Sequence, residues 1–181
     1  MLFGAVAVGW LLLDQLSKSW AVRNLSGHDI DVVWTLRFNL AYNSGASFSM
    51  GEGRGRWIAL VAVLIVALLI WQGLTVRTRL AAVALAMIVG GALGNVVDRA
   101  LRDGNGGFLG GSVVDFIDFQ WWPVFNVADM GVVVGAILLV VSTFLPIPDD
   151  DAPGDVPASS PPATDDAPAA ADPSSSDSTG G

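Results

Sequence analysis

WIALVAVLIVALLIWQGLTV, residues 57–76, is a run of twenty residues without a charge, closed by Arg56 on one side and Arg77 on the other. A helix that crosses a bilayer needs about 20 mainly apolar residues, so this stretch reads as a membrane span. Two further runs repeat the pattern. Residues 80–97 give 18 uncharged positions between Arg79 and Asp98, and residues 130–148 give 19, reaching back to Pro123 if Asp129 is admitted. A fourth span starts at the first residue, where 1–13 are uncharged and Ala21 and Val22 continue the pattern past Asp14 and Lys18. This segment reads as a retained helix rather than a signal peptide, since it has no basic leader and no small-residue cleavage site after its apolar run. Three long unbroken runs within 148 residues argue against a soluble helical core. The expected fold is an all-α membrane protein with four transmembrane helices.

Working outward, the 181 residues are 52% hydrophobic and 14% charged, with no Cys and one His. That excludes a disulfide scaffold, a thiolate zinc site and a cysteine nucleophile, and it argues against a multi-histidine metal centre or a Ser-His-Asp triad. The formal charge of -8 is misleading. Eight of the 17 acidic residues lie in 149–181, which holds no base, and the other nine are balanced by all nine Lys and Arg. The body is neutral, and the basic footprint of a nucleic-acid binder is absent. The chain divides into a membrane domain, 1–148, and a tail, 149–181, built from Asp, Pro, Ala, Ser, Thr and Gly with a single Val. The tail has too little apolar surface to offset the entropy of ordering and is expected to be disordered.

Between the first two spans, residues 34–42 alternate apolar and mostly polar side chains, the pattern of a strand with one apolar face. A small sheet against the membrane surface would accommodate it. The second connection, 101–122, carries Gly104, Gly106, Gly107, Gly110 and Gly111 without the Lys-Ser/Thr ending of a phosphate loop, and reads as a flexible connector.

Span order alone gathers the polar residues. Asp14 and Lys18 lie toward the far end of the first helix. Asn95, Asp98 and Arg99 close the third, on the same side, and Asp115 precedes the fourth there. If the fourth helix starts at Pro123, Asn126 and Asp129 fall in its first two turns, with Asp129 about 9 Å below the start at 1.5 Å per residue. All these groups share one leaflet, and buried charges of this kind face partners or a wet cavity. The alternative is that they only bond helices together. Basic residues do not set the orientation, with Arg77 and Arg79 on one side and Arg23, Arg37, Arg54 and Arg56 on the other.

Five blocks carry a resemblance: Asp14-Gln15 with Lys18; Asn43-Ser44-Gly45-Ala46-Ser47-Phe48-Ser49; 90–99, which ends Gly94-Asn95-Val96-Val97-Asp98-Arg99; Val113-Val114-Asp115-Phe116-Ile117-Asp118-Phe119; and Phe125-Asn126-Val127-Ala128-Asp129. In this order the chain resembles the bacterial lipoprotein signal peptidases, or signal peptidase II. The resemblance implies four transmembrane helices with cytoplasmic termini, an extracytoplasmic β cradle and residence in the cytoplasmic (inner) membrane. It implies cleavage of prolipoproteins before a diacylglyceryl-modified cysteine, by a monomer among membrane lipids, near the extracytoplasmic face. The long glycine-rich link from Arg99 to Val113 and the acidic tail depart from the family pattern.

The resemblance makes Asp115 and Asp129 the catalytic pair. Peptide hydrolysis needs an activated water and a proton donor, and two coupled carboxylates supply both without metal or cofactor. Asn95 and Asn126 would orient the pair or the peptide, Asn43 and Gly45 would hold the substrate backbone, and Asp14, Lys18 and Asp98 would hold the helices together. Arg99 is assigned to the same structural role, with substrate contact as its second option. Asp118 is expected to be a surface loop residue and His28 a solvated one. Two rival readings are a Ser/Lys protease using Lys18 with Ser44, Ser47 or Ser49, and a non-enzymatic transporter or scaffold.

Overall fold

A computed structural model describes residues 1–44, 55–76, 78–102 and 108–145. The described elements are α1 (Leu2–Asn24), β1 (Ile30–Val33), β2 (Leu36–Asn43), α2 (Gly55–Gly73), α3 (Arg79–Leu101), β3 (Val113–Asp118) and α4 (Val127–Phe144). Residues 45–54, among them Gly45, Ser47 and Ser49, together with 77, 103–107 and 146–181, which include the tail, lie outside the described residues.

Three of these helices, Arg56–Gly73, Arg79–Leu101 and Val127–Phe144, are long and apolar enough to cross a membrane. In α2 and α4 large apolar side chains such as Leu64, Leu68, Val133 and Ile137 remain exposed. That is the surface of helices solvated by lipid, where burial drives nothing and close packing must do the work. The α1 helix has 23 residues, a sufficient length, but it carries Asp14 and Lys18 wholly buried.

The central helix is α3, which packs against α1, α2 and α4. Small residues permit it. Ala81, Ala84, Ala86, Gly90, Gly91 and Gly94 are buried along its length. A Cβ on Gly91 would run into the carbonyl oxygen of Ala128 in α4, and one on Gly94 would run into the carboxylate of Asp14 in α1. Thr78 caps the start of α3 by accepting from the Ala81 amide.

The three strands form one antiparallel sheet in the order β1-β2-β3. The alternating segment is a strand as expected, although it begins at Leu36. Trp34 sits in the preceding turn with φ 54°. Phe38 and Leu40 pack toward Ala21 of α1, Leu25 that caps its end, and Phe116 of β3. The strand β3 corrects the reading of 101–122 as a connector. Its six residues are almost all buried, so both faces are covered and the two-residue alternation that marks a half-exposed strand is missing.

A second correction concerns α4. It begins at Val127, not Pro123, and Asn126 is its cap. Asp129 therefore lies in the first turn rather than in the second. The chain from 119 to 126 instead folds back on β3, with Phe125 bonded to Phe116 and Ile117.

Candidate active site

Three elements bring the polar residues together. Asp115 comes from the middle of β3, Asp129 from the first turn of α4 and Asn95 from the last two turns of α3. The start of α4 is a reciprocal capping box. The Asp129 amide donates to Asn126 Oδ1 at 3.0 Å, and the Asn126 amide donates to Asp129 Oδ2 at 3.2 Å. The capping side chains then reach the other carboxylate. Asn126 Nδ2 donates to Asp115 Oδ1 at 2.6 Å and to Asn95 Oδ1 at 3.1 Å. Asn95 Nδ2 donates to Asp129 Oδ1 at 2.9 Å, and Asn43 Nδ2 to Asp115 Oδ2 at 3.2 Å. Each carboxylate thus accepts at both oxygens.

Both aspartates, Asn43, Asn95 and Arg99 line one cleft of about 740 Å³ between α2, α3, α4 and the 122–125 loop. Its remaining wall is apolar, with Ile58 and Ala62 from α2, Val96 from α3, Val132 and Val133 from α4, and Trp122 and Phe125 from the loop. Burial pushes the Asp115 carboxyl up to about 6, reinforced by the charge of Asp129 and moderated by hydrogen bonds from Asn43 and Asn126 and by the charge of Lys18.

Asp118 is not a surface loop residue. It closes β3, is 4% exposed, and accepts from Arg37 Nε at 2.8 Å and Asn39 Nδ2 at 3.3 Å. Its carboxyl is held below the usual range because bonds from the Gln120 amide, Arg37 and Asn39 outweigh burial, which acts the other way. Three residues along a strand turn a side chain to the opposite face. Asp115 and Asp118 are therefore on different sides of the sheet, and only Asp115 is among the residues lining the cleft.

Behind the cleft, Lys18 Nζ pairs with Asp14 at 2.9 Å and Asp98 at 3.0 Å, with all three side chains at 0% exposure. Asp14 also accepts from the Ala128 amide at 2.8 Å, and Asp98 from the Val114 amide at 3.1 Å, so these two carboxylates tie α1 and α3 to α4 and β3. Among the described residues, Asp98 forms ion pairs with Lys18 and Arg102. Arg99 lies within electrostatic reach of Asp115, Asp98 and Asp129.

Gln15 received no role from sequence. It donates to Asp14, to the Gly94 carbonyl and to Asp98 at 3.1–3.2 Å. Its position beside Asp14 was the available signal. The cleft residues Trp122, Pro123 and Phe125 had none, because their place depends on the fold-back onto β3.

Comparison with known proteins agrees with this architecture. The family described as signal peptidase (SPase) II matches residues 6–145. The lipoprotein signal peptidase of Rhodococcus jostii is 44% identical over 142 residues, covering 77% of this chain and 71% of that one. That of Mycobacterium avium is 46% identical over 139 residues, covering 76% and 75%. Two solved bacterial membrane enzymes, determined by the in meso method at 2.3 and 1.9 Å, are both 26% identical and superpose with TM-scores of 0.65 and 0.63. Each match covers 77% of this chain, and 85% and 90% of theirs. With the family pattern running through all four helices and both aspartate segments, the chain belongs to the signal peptidase II family.

Proposed function

We propose that Asp115 and Asp129 are the catalytic pair of this enzyme and that it acts where its cleft meets the extracytoplasmic membrane surface. Family membership makes the chain a membrane-bound aspartic endopeptidase that removes signal peptides from prolipoproteins. The observation that carries the pair is the shared amide. Asn126 is bonded to Asp115 through its side chain and to Asp129 through its backbone, and both aspartates line one cleft. Two carboxylates so linked do the chemistry as a unit. One takes a proton from water as the oxygen attacks the scissile carbonyl carbon. The other gives its proton to that carbonyl's oxygen. Collapse breaks the C–N bond: the proton first taken from water passes to the leaving amine, and one hydroxyl of the intermediate returns its proton to the second carboxylate as the new C=O forms. The raised Asp115 carboxyl suits it to hold the shared proton.

Asn43, Asn95, Asn126 and Arg99 are proposed to orient the pair or the peptide, and Gly45 the substrate backbone. The apolar wall suits the signal segment and the acyl chains of a diacylglyceryl-modified cysteine. α1 is proposed as a fourth span, with the sheet outside the cytoplasm and the enzyme a monomer in the inner membrane. The Ser/Lys alternative is disfavoured by Lys18, whose protons point at Asp14, Asp98 and Asn95 and leave no lone pair for a base.

The test is cleavage of a lipidated prolipoprotein by purified, folded protein. Asp115→Asn and Asp129→Asn should each lose nearly all turnover, with losses far from additive. Asp118→Asn should keep most of it. A well-folded Asp129→Asn protein working near the native rate would overturn the mechanism.

A further inference from the structure

Beyond the aspartate pair, and resting on that reading, we infer that Lys18 is a positioning residue for catalysis: from behind the cleft its ammonium sets which way round the Asn95 amide stands. An amide side chain can present oxygen or nitrogen to a neighbour with little change of shape. At Asn95 the choice matters, because the face toward Asp129 must donate and the face toward Asn126 must accept. Lys18 removes the ambiguity, since an ammonium has donors and no acceptor. Its Nζ lies 2.8 Å from Asn95 Oδ1. With the oxygen held there, Asn95 Nδ2 is turned to Asp129 Oδ1 at 2.9 Å, and the same oxygen also accepts from Asn126 Nδ2, which bonds Asp115. One cation on α1 thereby fixes the donors to both carboxylates without lining the cleft itself.

The lysine is in turn fixed by Asp14 and Asp98. A purely structural cation would need only these two partners. The third bond, into the catalytic network, is what the positioning role requires.

Lys18 also acts on Asp115 through its charge. The groups facing Asp115 are Asp129 from α4, Lys18 from α1, Arg99 from α3, and the amides of Asn43 and Asn126 from β2 and the α4 cap. Loss of the Lys18 charge should move the pH-rate limb that reports Asp115 to higher pH, which loosened helix packing alone would not do.

Lys18→Met alone leaves two buried carboxylates facing each other, so the primary variant is Lys18→Met with Asp98→Asn, which keeps the buried charge balance. Compared with Asp98→Asn on equal amounts of folded full-length chain, it should lose roughly tenfold or more in kcat, the scale at which a small misplacement is felt. KM should stay within about twofold, and the limb should shift upward. In an Asn95→Ala, Asp98→Asn background, adding Lys18→Met should cost less than about threefold, because its target is gone. Equal losses with and without Asn95, or no loss in kcat at all, would overturn the inference. Should the double variant not fold, Asn95→Asp asks the same question. It keeps an oxygen for Lys18 and removes the donor to Asp129, so it should fold and lose kcat; native kcat would refute the relay. Asp129→Asn run beside these separates the readings. If it is inactive while the Lys18 variants work normally, the pair stands and the relay falls. If it is active, the pair itself falls.

Discussion

Asp115 is held in the fold against its own solvation. Its carboxyl is 4% exposed and shares a wall with Asp129. Burial lifts it from 3.8 to about 6. A carboxyl that binds its proton more tightly in the native state than in the unfolded chain favours folding where it is protonated. Its contribution is full below about pH 4, declines as pH rises to about 6, and stays lost above. A shift of about two units corresponds to roughly 3 kcal/mol as an upper figure. Asp115→Asn should therefore be more stable than the native chain by about 1–3 kcal/mol at pH 8, with the gain gone by pH 4. Thermal unfolding in one detergent across that range checks it; an equal gain at both ends would show that ionisation is not the cause. The residues themselves were largely legible. Asp115, Asp129, Asn95, Asn126 and Arg99 stood out because polar groups beside apolar runs need partners, Asn43 stood out only through the family resemblance, and the structure brings all six to one cleft or its bonded rim. Asp118 misled because its partner Arg37 is 81 residues away and visible only once β2 and β3 are paired.

At the scale of elements, apolar run length located α2, α3 and α4, whereas the start of α4 and the existence of β3 escaped. Both failures share a cause. The run 123–129 is apolar enough to continue the helix, but Asn126 accepts from the Asp129 amide and ends it there. The released segment then pairs with β3, which tertiary cover rather than pattern makes a strand. The placement of α4 rests on its contact with α3, where Gly91 meets the Ala128 carbonyl one residue before Asp129. Gly91→Ala should push the two helices apart at the residue that precedes Asp129. We expect a loss of about 1–3 kcal/mol, the usual range for overpacking, with a fall in kcat on folded material. Gly4→Ala, where a Cβ meets nothing within 4 Å, is the control and should change neither. Unchanged kcat and stability in Gly91→Ala would show that α4 is located by other contacts.

For the whole molecule, the proposed four spans, with the sheet and the aspartates on the extracytoplasmic side, predict a topology that whole cells can report. Cysteines introduced at Ser26 and Gly106 should label with an impermeant thiol reagent, and one at Thr78 should not; the reverse pattern would invert the protein. The native chain lacks cysteine, so background labelling is nil. The capping box has a consequence for how such an enzyme can change over generations. Asp129 and Asn126 build the first turn of α4 with the same atoms that are proposed to address the chemistry. A compound that grips those atoms leaves its target few routes to resistance. A replacement there that discards the contact also gives up a bond of the cap, so the less costly routes of escape lie elsewhere, in the apolar wall, where Ile58 or Val133 can vary in size without touching the turn.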